Sequence, residues 1–103
     1  MMINSTRRNA GNRRRGKTYE RRVAASLGGV RNLDKSRPHT DVETETEVYE
    51  VKSTQAGIPY WLSHAIEQLE LASRESNKSK GGVVRVYTKN KARAFLIQEI
   101  NLE

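Results

Sequence analysis

Residues Thr40–Thr54, TDVETETEVYEVKST, decide how this chain is read. Four carboxylates fall at every second position, at Asp41, Glu43, Glu45 and Glu47. Glu50 breaks that rhythm and is followed two residues later by Lys52. The stretch is β-branched, alternating and long enough for a hairpin rather than one strand. In a single strand Asp41 would face one side while Glu50 and Lys52 faced the other. A turn centred between Glu45 and Thr46 changes this, because paired residues of an antiparallel hairpin share a face. Asp41 then lies opposite Glu50, Glu43 opposite Val48, and Lys52 joins the side of Glu50. Val42, Tyr49 and Val51 project the other way, toward a core. No Gly or Asn lies between Glu43 and Glu47, so a four-residue loop is expected in place of a tight type I′ turn.

Directly opposed β-carbons are about 5 Å apart, and two carboxylates held there repel unless a cation joins them. A hard divalent ion such as Mg²⁺, with oxygen ligands at about 2.1 Å, suits such a pair. The plain alternative is a polar surface strand with Lys52 in a cross-strand ion pair. Glu43, Glu45 and Glu47 are expected to be only that.

The rest of the chain has the opposite charge. The 103 residues carry a net +7, and 35% are hydrophobic. Residues 1–37 hold eleven Lys or Arg against two acids, and residues 38–103 hold eight against ten. A basic arm leading into a near-neutral globule points to a polyanion, with nucleic acid first and an anionic membrane surface second. The length suits one domain with a modest core. No segment approaches a membrane span and no apolar N-terminal run resembles a signal peptide, so a soluble, cytoplasmic protein is expected. With no cysteine there is neither a disulfide framework nor a thiolate metal site.

Residues 1–15 have no apolar periodicity and read as a flexible basic arm, with residues 16–103 as the folded domain. Arg13, Arg14, Arg15 and Lys17 are phosphate-binding candidates. KTYERRVAASL, Lys17–Leu27, reads as a helix ended by Gly28-Gly29. Glu20, Val23, Ala24 and Leu27 share one face, so Glu20 sits on the core stripe and needs a partner. VRNL is a short strand and DKSRPH a loop. YWLSHAIEQLELASRES, Tyr60–Ser76, is an amphipathic helix with Leu62, Ala65, Ile66, Leu69 and Ala72 on its apolar side. VVRVYTK and ARAFLIQEI are strands joined by a tight turn at NK. The element order is α-β-β-β-α-β-β.

Taken together, GKTYERRVAASL, an Asp opening a hairpin, and YEVKST resemble the PD-(D/E)XK nuclease superfamily, and within it the archaeal-type Holliday junction resolvases. The resemblance spans Gly16 to about Ile97. It implies an α/β fold with a restriction-endonuclease-like core, a mixed central sheet flanked by helices. It further implies that Asp41 and Glu50 ligate Mg²⁺ (with Mn²⁺ as a substitute), aided by the Val51 carbonyl, and that Glu20 completes the acidic site. Lys52 would orient or activate the attacking water. Ser36 would contact the scissile phosphate, and Arg31 and Arg37 would neutralise neighbouring phosphates. The implied activity is Mg²⁺-dependent endonuclease cleavage of four-way DNA junctions by a C2 homodimer, paired through the Trp61 helix or the Phe95–Ile97 strand. The chain departs from the superfamily in having Thr40, not proline, before Asp41, and in its short hairpin.

Two other readings stay open. One is a PD-(D/E)XK nuclease acting on duplex or nicked DNA, and the other is a non-catalytic basic nucleic-acid-binding module. His39 and His64 read as loop and structural histidines. Tyr60 and Trp61 fit core or dimer contact better than base stacking.

Overall fold

The first helix stops where its sequence turns to glycine. In the computed structural model, which describes residues 2–102 and side chains from Gly11 onward except that of Asn12, α1 runs Met2–Leu27. Gly28 takes φ +68°, a left-handed conformation that costs other residues energy, and its N–H reaches back to the Ala25 carbonyl. Gly29 donates to the Ala24 carbonyl at 2.9 Å, and a β-carbon there would collide with the Glu43 carbonyl oxygen. The two glycines thus end the helix and let the next strand pass close to it. The helix begins well before Lys17, so the basic stretch is helical where the sequence predicts an irregular arm. Apolar periodicity does not reveal that extension, because between Ile3 and Lys17 the sequence offers no large apolar residue.

The chain forms two compact units. One comprises residues through Gln55 together with the C-terminal residues from Asn101, and the other is Ala56–Ile100. The sequence suggests a single domain over 16–103; the contacts resolve into two bodies, divided within QAGIP, a stretch with little to bury.

In the first unit, β1 (Val30–Arg31), β2 (Val42–Glu43) and β3 (Val48–Tyr49) form an antiparallel sheet in that order. Val42 pairs with Tyr49 and Glu43 with Val48, the register expected from a turn between Glu45 and Thr46. Val42 is fully buried and Ala24 nearly so, and the packing of α1 on β1 and β2 makes this the unit's core. Four residues connect β2 to β3. The Thr44 N–H donates to the Glu47 carbonyl at 2.9 Å, and the Thr44 hydroxyl accepts from the Thr46 and Glu47 N–H groups. That hydroxyl replaces the Gly or Asn of a tighter turn.

In the second unit, α2 (Tyr60–Ser76) packs on β4 (Val83–Tyr87), which pairs with β5 (Arg93–Ile97) in an antiparallel ribbon. The half-buried positions Leu62, Ala65, Ile66 and Leu69 are the apolar side read from the sequence, although Ala72 is exposed. Asn77, left-handed at φ 52°, caps α2. Asn90, at φ 61°, serves the β4–β5 turn. All seven elements appear in the expected order, and the molecule is mixed α/β. The expected mixed central sheet is replaced by two antiparallel sheets. Local sequence period specifies each strand but not which strand of the other unit it should join.

Candidate active site

Asp41 sits where the first sheet ends. Its N–H donates to the Tyr49 carbonyl at 3.3 Å, its carbonyl accepts from the Asn32 N–H, and its carboxylate Oδ2 accepts from the Val51 N–H at 2.8 Å. A regular ladder would give that N–H to a strand carbonyl. The side chain therefore takes over a backbone role and stops the ladder. One register step beyond the last pair would set Asp41 against Glu50; Lys52 Nζ lies 3.5 Å from Glu50 Oε1. Both members of that ion pair are largely exposed, so it contributes little to stability.

Glu20 has a different neighbour. Arg31 Nε donates to Glu20 Oε2 at 2.7 Å, with both side chains mostly shielded from solvent. This is the partner that a carboxylate on the core stripe requires, supplied by an arginine and not by the other acids. The register explains why. Arg31 pairs with Val42, so it shares the buried face against α1. Glu43 and Glu50 belong by parity to the opposite face.

A cleft of about 500 Å³ opens between α1 and the loop after β1. Its walls include Lys17, Glu20, Arg31, Asn32, Arg37 and Asp41. Asp41 reaches it from the strand end, while Glu50 and Lys52 do not line it. Of the four residues assigned catalytic roles, the structure thus gathers two pairs: Glu20 with Asp41 in the cleft, and Glu50 with Lys52 on the hairpin.

The loop is held by a network that sequence reading did not identify. Arg37 donates to both oxygens of Glu43, at 2.8 and 2.9 Å, and to Asp34 at 3.2 Å. Asp34 also accepts from the Ser36 hydroxyl at 2.6 Å and the Ser36 N–H at 2.9 Å. The Asn32 amide donates to the Arg37 and Thr40 carbonyls. The Ser36 hydroxyl and N–H hold the Asp34 carboxyl below its ordinary range, with Arg37 adding to the effect. Hydrogen bonds from Arg37 lower Glu43 in the same way, and the two carboxylates raise Arg37. Glu43 is therefore more than a surface acid. The signal in the sequence was its parity with Asp41, opposite an Asn/Asp/Ser-rich loop.

The phosphate-binding assignments divide accordingly. Arg13, Arg14 and Lys17 are exposed on α1, and Arg15 is half-buried. Arg31, Ser36 and Arg37 are engaged with Glu20, Asp34 and Glu43. The sequence placed these three on phosphate; close carboxylates capture them first.

Among the described residues no three His, Asp or Glu side chains converge as a metal-binding group. Asp41 and Glu50 are the kind of oxygen donor Mg²⁺ takes together with water and phosphate, although the structure sets Asp41 beside Glu20 and Glu50 beside Lys52. The donors do not fit the three-acid site, because Arg31 holds Glu20.

Comparison with protein-family models, curated proteins and solved structures finds no match. Among the described residues no helix is long and apolar enough to cross a membrane.

Proposed function

We propose that this chain is a metal-dependent DNA endonuclease of the PD-(D/E)XK kind, with a restriction-endonuclease-like arrangement of elements, acting on four-way junctions as a C2 homodimer in the cytoplasm. The observation that supports the reading is the hairpin register, Val42 on Tyr49 and Glu43 on Val48, whose extension by one step would bring Asp41 opposite Glu50, itself 3.5 Å from Lys52. The order of the seven elements and the basic N-terminal third support it.

Asp41 and Glu50, with the Val51 carbonyl, would hold Mg²⁺. When bound, the ion supplies charge neutralisation on the phosphate and a more acidic water. The bond from the Val51 N–H fixes the Asp41 carboxylate, and Lys52, an exposed cation beside Glu50, would steady an anionic phosphate and a water. Arg31 and Arg37 would turn to phosphate only by leaving their carboxylates.

The test compares Mg²⁺-dependent cleavage of a four-way junction with that of linear duplex of the same sequence. Preferential junction cutting, abolished by Asp41→Asn and by Lys52→Ala while DNA binding persists, is the expected result. Equal cutting of both substrates moves the reading to duplex or nicked DNA. Normal cutting by both variants removes the site assignment. The Glu20–Arg31 pair favours a second reading, a basic nucleic-acid-binding module without catalysis, in which no divalent ion elicits cleavage.

A further inference from the structure

The β4–β5 ribbon bears a surface that the nuclease reading does not use. On the face it turns to α2, arginines and aromatic rings alternate across the pair: Arg85 is opposite Phe95, and Tyr87 is opposite Arg93. The Arg85 guanidinium carbon lies 4.1 Å from the Trp61 ring centre and 5.6 Å from that of Tyr87. Arg93 stands 5.1 Å over Phe95, and the Tyr87 and Phe95 rings meet edge to face at 6.0 Å. Yet these rings are not covered: Tyr87 is 53% and Phe95 44% exposed.

The charge of this ribbon is of one sign. Val83–Ile97 contains Arg85, Lys89, Lys91 and Arg93 and no acidic residue. Among the described residues none of these four cations forms an ion pair with the protein. Guanidinium planes stacked on rings stay charged and lose few of their donors. Rings, cations and exposure together match the chemistry of unpaired nucleotides. Bases supply π-faces to rings, and the phosphates between them supply charge to lysines. A polar peptide partner would leave the rings unused, and a duplex hides its base faces.

We propose that the Tyr87–Phe95 platform, backed by Arg85 on Trp61 and flanked by the Lys89/Lys91 turn, binds single-stranded nucleic acid. Bases stack on Tyr87 and Phe95, and phosphates lie along the turn. The surface lies wholly in the second unit and does not depend on the hairpin acids, so it stands whether or not the chain cleaves DNA.

Trp61 is the single tryptophan, so its fluorescence reports from this platform. Titration of the full chain with a short oligothymidylate should quench that emission. Tyr87→Ala and Phe95→Ala should each weaken oligonucleotide binding about tenfold without changing its salt slope. Lys89→Ala with Lys91→Ala should lower the slope. Tyr87→Phe keeps the ring and should bind as the parent does, which separates stacking from misfolding. Duplex of matching length should be insensitive to both ring substitutions. Parent-like oligonucleotide affinity in both alanine variants overturns the proposal. So does equal weakening of duplex and single-strand binding, or preferential binding to phosphatidylserine vesicles lost through the same substitutions.

Discussion

Arg37 shows how much of this chain's chemistry is decided between single side chains. Its guanidinium fork meets both Glu43 oxygens, a planar match that lysine does not reproduce, and its Nε reaches Asp34. Both carboxyls are held below their ordinary range, so they are more acidic in the folded chain than in the unfolded one. The linkage has a definite sign. Their contribution is present above the unfolded value, about 4, and is lost as the pH falls through the lower folded values. At such exposed positions the contribution is small, so a local measurement is the better test. In carboxyl-carbon NMR titrations, Arg37→Ala should raise the Glu43 midpoint toward its ordinary value. Asp34 should move less, since Ser36 is its larger influence. An unmoved Glu43 midpoint contradicts the network. Beyond the parity of Glu43 with Asp41, little of this was legible in the sequence, because Arg37 and Glu43 lie in chain segments whose approach only the fold sets. Glu20 was legible halfway: its place on a core stripe announced a partner, but Arg31 took the role assigned to an acid cluster.

At the scale of elements the sequence was more informative, because strand parity is strict. Once the turn lay between Glu45 and Thr46, every pairing across β2 and β3 followed, and Val42 had to face inward. The same parity separates Glu50 and Lys52 from Glu20, a consequence the sequence contained but that the expected shared site overlooked. The start of α1 was not legible, since polar arginine-rich turns carry no apolar rhythm. The core of this unit is small enough for single changes to be felt. Val42→Ala should cost roughly 2 kcal/mol in chemical denaturation, as the loss of buried methyl groups leaves a cavity. Gly28→Ala should cost about 1 kcal/mol from its left-handed backbone alone. Gly29→Ala should cost more than Gly28→Ala, because its methyl meets the backbone of β2 and not open space. If the two alanine variants unfold at the same denaturant concentration, the close approach of α1 and β2 is wrong.

Across the whole molecule the ordering principle is charge. Residues 1–37 carry a net +9 from eleven cations and two acids, yet two of those cations, Arg31 and Arg37, are engaged by carboxylates. Along the sequence the positive charge is densest near the N-terminus, where Arg7, Arg8, Arg13, Arg14 and Arg15 lie within nine residues. Each phosphate contact releases a counterion and adds about 0.9 to the slope of log affinity against log salt on duplex DNA. Removing residues 1–15 takes away five arginines, so the slope should fall by at most about 4.5 if every one touches phosphate. The prediction separates the two ends of the chain. Truncation should flatten the salt dependence on duplex and oligothymidylate alike, because both present phosphates. It should leave the loss caused by Phe95→Ala on the oligonucleotide intact, because stacking on a ring does not draw on the charge of the removed arginines. Binding measured from low to physiological salt on both ligands, with and without the first fifteen residues, decides the matter. An unchanged slope means that the N-terminal arginines do not meet phosphate, and the positive charge of that segment then serves some other purpose than holding nucleic acid.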